Sequence, residues 1–234
     1  MSITEQLFRP LVKTSSARPL ITHYDDETGS RVELSVATTA NWAAKTANWL
    51  VEEVDVEPGD EVAVLLPAHW QTLGILLGAW WCGAHVVTSD VDARIAFVAP
   101  GETSTTTTAV VALDAMGMGL TTPPGDGALD FLSEVRLAGD DFLPLSPIPG
   151  DTLGLNSSTV DELVAEARAR AEELGILAGS RVLSTVDWAA PGGILDGVLA
   201  PLAVGAHIVQ ITNSDPAKLD DRRRVERTTV DLLR

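Results

Sequence analysis

One short sequence occurs twice in this chain and constrains its fold more than any other feature. GAHVV at residues 83–87 returns as GAHIV at residues 205–209. Before each copy, in residues 50–87 and 171–209, the pattern predicts the same order of helix, glycine turn, strand and helix, and the motif itself predicts a second strand. Strands joined by helices favour parallel sheets with right-handed crossovers. The sequence therefore predicts an α/β fold of two related αβαβ units with mostly parallel sheets.

Turn and capping signals divide the chain into two lobes. Residues 1–143 are expected to form a first α/β lobe, which opens with a β-hairpin around an acidic, glycine-containing turn. Residues 144–158 are rich in proline and glycine and are expected to connect the lobes. Residues 159–234 are expected to form a second α/β lobe. Its first helix begins with Thr159 and, three residues later, Glu162, which is a capping-box pattern.

Local signals predict further elements within the first lobe. Ser35 is expected to cap a long helix whose alanine and leucine positions follow helical spacing. Residues 94–99 and 109–113 are expected to be strands, and residues 117–127, with four glycines and two prolines, a loop.

The charge of the chain excludes several classes of partner. A net charge of -17 would repel both nucleic-acid phosphates and anionic lipid headgroups. The most apolar stretch, residues 73–87, is too short to span a bilayer, and the first residues show no secretory signal. The single cysteine, Cys82, has no partner for an intrachain disulfide and is expected to be an inert buried thiol. We expect a cytoplasmic protein that binds no nucleic acid and no membrane.

Several segments resemble the opening half of the AMP-binding, adenylate-forming enzymes, which include the acyl-CoA synthetases. Residues 58–65, PGDEVAVL, are similar to the turn and strand that follow the first long helix in that family. Residues 73–87 are similar to its next helix and strand, and residues 174–209 resemble its segment after the phosphate loop. The abundance of arginine over lysine also agrees with a short actinobacterial form of this pattern. The resemblance implies that the repeat is the family's own pair of related sheets.

The resemblance fails at the positions that carry the chemistry. The family holds ATP with a Ser/Thr/Gly-rich loop that ends in Pro-Lys-Gly, which would fall at residues 150–158. That segment reads GDTLGLNSS and has no lysine or arginine, and no lysine occurs between Lys45 and Lys218. The family's aromatic or histidine position falls at residues 187–188, Asp-Trp, and its later motifs would lie beyond residue 234. We therefore expect no autonomous adenylation.

These observations leave more than one interpretation of function open. The leading one is a truncated, catalytically inactive acyl-CoA synthetase-like protein that acts as a binding or protein-interaction module. The alternatives are one part of an adenylate-forming enzyme that a partner chain completes, or a binder of a nucleotide or acyl small molecule in the cleft between the lobes. A protein partner or a homo-oligomer fits the first two. The sequence assigns no catalytic, cofactor-binding or metal-ligating residue and implies no cofactor.

The four histidines are the first candidates for site residues. His85 and His207 occupy matching strand starts, and a backbone hydrogen bond explains each better than a paired functional role. His23 and His69 have no acidic residue or cysteine at ligand spacing, so no metal site is expected. The hydroxyl run at residues 103–108 lacks the glycines and the basic residue of a phosphate loop, and a solvated turn explains it better.

Tryptophans and arginines offer two candidate interaction surfaces. Core packing explains most of the tryptophans, but the adjacent Trp80 and Trp81 cannot face the same way on one helix. We expect one of them at the surface, where it would mark a partner interface. The arginines at residues 222–224 are expected to form a solvated helix face rather than an anion site.

Overall fold

A computed structural model of the protein describes residues 1–125 and 127–234. The strands are β1 (Pro19–Asp25), β2 (Ser30–Ser35), β3 (Glu61–Leu65), β4 (His85–Val87), β5 (Ile95–Val98), β6 (Thr108–Val110), β7 (Leu129–Asp130), β8 (Leu153–Leu155), β9 (Ser158–Thr159), β10 (Arg181–Ser184), β11 (His207–Thr212) and β12 (Val230–Leu232). The α-helices are α1 (Arg9–Ser15), α2 (Val36–Glu52), α3 (Trp70–Cys82), α4 (Phe131–Val135), α5 (Val160–Glu173), α6 (Pro191–Ile194), α7 (Ala200–Val204) and α8 (Leu219–Glu226). Thr4–Phe8 and Leu195–Leu199 are π-helical, and Pro216–Lys218 is a 3₁₀ turn.

The described residues form two mostly parallel sheets, as the sequence predicted. The five-stranded sheet has the order β12-β10-β11-β1-β2, and the seven-stranded sheet has the order β7-β6-β5-β3-β4-β8-β9. Pairing is parallel except in the hairpins β1–β2 and β8–β9. Because the strands are parallel, the loops that follow them gather at one edge of each sheet, where a ligand site can form.

The sequence repeat is a structural repeat with the same backbone geometry. Helix α3 ends at Gly83 with φ 88° and helix α7 ends at Gly205 with φ 68°, a left-handed cap that glycine adopts without strain. In each copy the histidine that follows opens a strand and pairs in register with the first residue of the neighbouring strand. His85 lies opposite Glu61 and His207 lies opposite Arg181. The two αβαβ units are therefore equivalent scaffolds.

Caps predicted from the sequence set the beginnings of the longer helices. The Ser35 side chain accepts a hydrogen bond from the Thr38 N–H and begins α2. Thr159 and Glu162 form the full capping box at the start of α5. Strands β5 and β6 lie where they were expected. The predicted loop at residues 117–127 contains Asp126, which lies outside the described residues.

Helix α3 is surrounded by protein on every side, and this overturns one expectation. All thirteen of its residues are buried, including both Trp80 and Trp81. Trp80 Nε1 donates to the Gly154 carbonyl at 2.8 Å. Gly78 allows α2 to pack against α3, because a Cβ there would lie 2.5 Å from the Thr46 side chain. The prediction of an exposed tryptophan was wrong, since a helix enclosed by its neighbours has no solvent face.

The N-terminal hairpin lies in the sheet of the second half of the chain. It was expected in the first lobe, but β1 pairs in parallel with β11 over Ile21 to Asp25 and Ile208 to Thr212. This pairing buries the apolar residues of β1 on both faces. The predicted connection at residues 144–158 contains β8, which extends the seven-stranded sheet by pairing with β4. The five-stranded sheet thus combines strands from both predicted lobes, and the seven-stranded sheet combines strands of the first lobe with the predicted connection.

Candidate functional site

The segment at the family's phosphate-loop position folds into a closed hairpin. Strands β8 and β9 pair antiparallel and are joined by the two residues Asn156 and Ser157. The Asn156 N–H donates to the Val86 carbonyl at 2.9 Å. The Asn156 side chain accepts from the Thr88 N–H and donates to the Thr88 hydroxyl, both at 3.1 Å. The turn is therefore held against β4 by its own backbone and side-chain bonds.

The N-terminus of α5, directly after this hairpin, has its donors occupied by the chain itself. The Val160 N–H donates to the Thr152 carbonyl and the Asp161 N–H to the Gly150 carbonyl, both at 2.9 Å. The Glu162 N–H donates to Thr159 Oγ1 at 3.3 Å, and the Glu162 carboxylate accepts the Thr159 N–H at 2.9 Å. Helix N-termini bind anions through such free N–H groups and the helix dipole. Here protein carbonyls and a carboxylate fill that role.

The pKa of Glu162 reflects this arrangement. Its pKa lies below the ordinary value because the backbone N–H and the hydroxyl of Thr159 donate to the carboxylate. A second carboxylate, that of Asp161, lies against the Cα of Gly150. The position that holds phosphates in the resembling family therefore carries the carboxylates of Asp161 and Glu162.

The Asp187–Trp188 position connects the two sheets. Asp187 Oδ1 accepts a hydrogen bond from the Ala68 N–H, after β3, at 3.3 Å and from the Trp188 N–H at 2.7 Å. Trp188 is 1% exposed and packs against Gly197, where a Cβ would collide with the indole. Both residues fill structural roles at the junction between the sheets.

A cavity of about 410 Å³ opens where the carboxyl ends of strands from both sheets meet. The five-stranded sheet contributes the ends of β1 and β11, with His23, Asp25 and Thr212. The seven-stranded sheet contributes the segments that follow β3 and β6, with His69 and Asp114. We call this cavity the inter-sheet cleft. Its volume is in the range of small-molecule sites, and its place is the usual one for ligands in α/β sheets.

Two buried histidines line the inter-sheet cleft in direct contact. The ring centroids of His23 and His69 are 4.4 Å apart in an edge-on arrangement. Burial lowers the pKa of His23 to about 4, and burial followed by the neighbouring His23 lowers the pKa of His69 to about 2. Both rings are therefore neutral at physiological pH. From the sequence these histidines were considered only as metal ligands, whereas their position at strand carboxyl ends was the signal that could have placed them together.

The carboxylates of the cleft are engaged by the surrounding loops. Asp25 accepts hydrogen bonds from the Asn213 amide, the Thr28 hydroxyl and the Glu27 N–H. These bonds outweigh the opposing effect of burial and lower the pKa of Asp25. Asp114 accepts from the backbone N–H groups of residues 116 and 118. The rim of the cleft is consequently negative and fixed in place.

The two repeat histidines lie at the opposite, amino ends of the strands and have different partners. His85 Nε2 bonds the Asn156 carbonyl, which is the backbone role expected for it. His207 instead bonds side chains, with its Nδ1 at 2.5 Å from the Arg181 guanidinium and its Nε2 at 2.8 Å from Thr22 Oγ1. The structure brings these two histidines to equivalent backbone places but not to one site.

The remaining candidate residues lie away from the inter-sheet cleft. Arg222 donates to Asp26 at 2.9 Å, and its guanidinium stacks over the Tyr24 ring at 3.9 Å. Arg223 and Arg224 pair with aspartates on or beside α8. Within residues 1–125 and 127–234, no group of three or more His, Cys, Asp or Glu side chains could hold a metal ion. The helices in these ranges are also too short or too polar to cross a membrane.

Acyl-CoA synthetases are among the solved structures with this architecture. A Brucella canis acyl-CoA synthetase matches with a TM-score of 0.80 at 16% identity, over 100% of this chain and 47% of its own length. The N-terminal domain of FACL13 from Mycobacterium tuberculosis matches with a TM-score of 0.74 at 19% identity, over 99% of this chain and 62% of that chain. This chain thus spans only part of the solved enzymes, about half in the first case.

The protein therefore has the fold of the N-terminal region of acyl-CoA synthetases. No protein-family model matches the sequence. A Mycobacterium tuberculosis relative, described as a TIGR03089 family protein, is 39% identical over 239 aligned positions, which cover 97% of this chain and 97% of that protein. The chain belongs to the TIGR03089 family.

Proposed function

We propose that this chain is an acyl-CoA synthetase-like protein that does not form adenylates by itself and acts as a binding module. The observation that supports this proposal is the occupied N-terminus of α5. The N–H groups of Val160, Asp161 and Glu162 all donate to acceptors of the same chain. A triphosphate bound there would have to displace these bonds and approach two carboxylates.

The charges around this position give the proposal its physical basis. A phosphoryl-transfer site needs cations and free donors placed beforehand, because they stabilise the charge that builds up in the transition state. No lysine occurs between Lys45 and Lys218, and Asp151 adds to the carboxylates of Asp161 and Glu162 near the turn. Unlike the proteins that share its fold, this one is therefore proposed to bind ligands without activating them.

Two measurements on the full chain test the proposal. Calorimetry with magnesium and ATP is expected to show no binding in the micromolar range, and ATP–pyrophosphate exchange with a panel of carboxylic acids is expected to stay at the blank rate. The Brucella canis acyl-CoA synthetase serves as the positive control for the fold. The variant Glu162→Gln removes one carboxylate and is expected to leave both results unchanged, because no cation replaces it. Micromolar binding of ATP together with pyrophosphate exchange would contradict the proposal.

The inter-sheet cleft favours small-molecule binding as the form that this role takes. The cleft lies at the carboxyl ends of parallel strands, encloses about 410 Å³ and combines apolar walls with a few polar groups. The fold needs no disulfide, since its single cysteine, Cys82, is free and buried, and this supports the proposal of a cytoplasmic protein. A crystal structure in which side chains fill the inter-sheet cleft would contradict the proposal of small-molecule binding.

A further inference from the structure

We propose that the inter-sheet cleft binds a small uncharged molecule through a hydroxyl group held between His23 and His69. This inference rests on the proposed binding role and names the chemistry of the ligand. It depends on which ring nitrogens carry protons, on which of them have partners, and on the charges that surround them.

The proton of the His23 ring is placed by its neighbours. Thr212 Oγ1 lies 3.0 Å from His23 Nε2 and donates to the Tyr24 carbonyl at 3.2 Å. Because a hydroxyl has one proton and a carbonyl can only accept, both bonds form only if His23 Nε2 carries the ring proton. His23 Nδ1 is then an acceptor. His23 is only 2% exposed, and its Nδ1 atom has no hydrogen-bond partner among the described residues.

The proton of the His69 ring is placed in the same way. His69 caps α3, and its Nδ1 accepts the Gln71 N–H at 3.1 Å. The ring is neutral, because burial lowers the pKa of His69 to about 2, so its single proton is on Nε2. His69 therefore offers a donor beside the unused acceptor of His23. Leaving buried polar groups unpaired costs about 1–3 kcal/mol each.

A hydroxyl group matches this pair of histidines better than other common polar groups. It can both accept a hydrogen bond from His69 Nε2 and donate one to His23 Nδ1, and both histidines line the cleft with their ring centroids 4.4 Å apart. A carboxylate has no proton to donate, and both a carboxylate and a phosphate would bring negative charge close to Asp25 and Asp114 on the same cleft. An ammonium group cannot accept from His69. The apolar remainder of the ligand would lie against Pro67 and its neighbours on the cleft wall.

Nuclear magnetic resonance of the full chain with ¹⁵N-labelled histidine gives a direct test, because the protein has only four histidines. Benzyl alcohol is the probe, and toluene and benzoate are matched controls without a neutral hydroxyl. Titration with benzyl alcohol is expected to shift the ring nitrogens His23 Nδ1 and His69 Nε2 in a saturable way and to leave His85 and His207 in place. Toluene is expected to bind at least about tenfold more weakly, the equivalent of about 1.4 kcal/mol. Benzoate is expected to cause no shift.

Variants separate a hydroxyl site from a general apolar pocket. His69→Asn keeps an acceptor for the Gln71 N–H but removes the ring donor, and it is expected to weaken benzyl alcohol binding to the level of toluene. His207→Gln lies outside the cleft and is expected to bind as the unmodified protein does. If His69→Asn fails to give the native circular dichroism spectrum, His23→Phe provides the same comparison by removing the acceptor.

Three results would overturn the inference: no shift with benzyl alcohol, equal shifts at all four histidines, or equal binding of toluene. If ATP–pyrophosphate exchange is also absent, only the ligand assignment fails and the proposal of a non-adenylating protein stands. If magnesium–ATP binds with pyrophosphate exchange while benzyl alcohol shifts the two cleft histidines, the proposal of a non-adenylating protein fails and the ligand assignment stands.

Discussion

The clearest quantitative prediction concerns the pH dependence of stability at His207. This ring accepts a hydrogen bond from Arg181 and lies at 2.8 Å from Thr22 Oγ1, which donates to Glu33. Since a guanidinium can only donate, His207 Nδ1 must be unprotonated and the ring neutral. Burial, and next the positive charge of Arg181, lower the pKa of His207 from 6.5 to about 4.

The sign of the effect follows from the protons bound in each state. Between pH 6.5 and about pH 4 the unfolded chain binds a proton at His207 and the folded chain does not. The free energy of unfolding therefore decreases as the pH is lowered through this window. The stability that depends on the neutral His207 ring is fully present above pH 6.5 and fully lost below about pH 4. From pH 7 to pH 5, a single group of this kind removes about 2 kcal/mol, on the scale of 1.36 kcal/mol per pKa unit.

Urea unfolding followed by tryptophan fluorescence at pH 7 and pH 5 measures this contribution in His207→Gln. The variant is expected to lose about 2 kcal/mol less between the two pH values than the unmodified protein. Protonation of the carboxylates and of the other buried histidines lowers the free energy of unfolding equally in both proteins. These effects therefore cancel when the two losses are subtracted. Leu177→Ala, at an exposed and non-titrating position, is the control. Equal losses in His207→Gln and the unmodified protein would refute the assignment of a neutral His207 ring to the folded state.

Three further predictions address packing, charge and reactivity. Gly197→Ala places a methyl group against the Trp188 indole and is expected to cost about 1–3 kcal/mol of unfolding free energy, measured with urea. Glu226→Leu removes the buried carboxylate that binds the partly exposed guanidinium groups of Arg31 and Arg181, and it is expected to cost about 1–3 kcal/mol by the same measurement. Cys82, whose pKa burial raises to about 12, is expected to react with a disulfide reagent at pH 8 only after unfolding.

Each of these has a result that would contradict it. Gly197→Ala with unchanged stability would mean that the indole has free space beside it. An equally stable Glu226→Leu would mean that solvent already satisfies both guanidinium groups. Rapid labelling of Cys82 in the native protein would mean that α3 opens readily, and urea-dependent labelling rates would give the free energy of that opening.

Local patterns in the sequence predicted much of the fold. The repeated Gly-Ala-His motif gave the two αβαβ units, because a left-handed glycine cap followed by a buried strand is a local signal. The capping box at Thr159 gave the start of α5 within one residue for the same reason. The pairing of β1 with β11 was not predictable in this way. It joins segments at opposite ends of the chain, and the apolar pattern of a strand does not specify which other strand it pairs with.

The candidate site was predicted only in part. The missing lysine at residues 150–158 was visible directly, but the closed turn at Asn156 depends on its contacts with β4, which lies far away in the sequence. His23 and His69 are also far apart along the chain, and their contact arises only when the two sheets come together. The expectation that one tryptophan of α3 lies at the surface failed because the sequence of a helix does not show which other elements pack around it.

The pairing of β1 with β11 also governs how this chain can acquire its structure during synthesis. Strand β1 leaves the ribosome early but cannot gain its parallel neighbour until Ile208 and the residues after it have been made. Contacts of such long sequence separation slow folding, since the chain must close a large loop before they form. A nick in residues 144–158 should accordingly give two fragments that reassemble by complementation, because neither fragment alone contains all the strands of the five-stranded sheet.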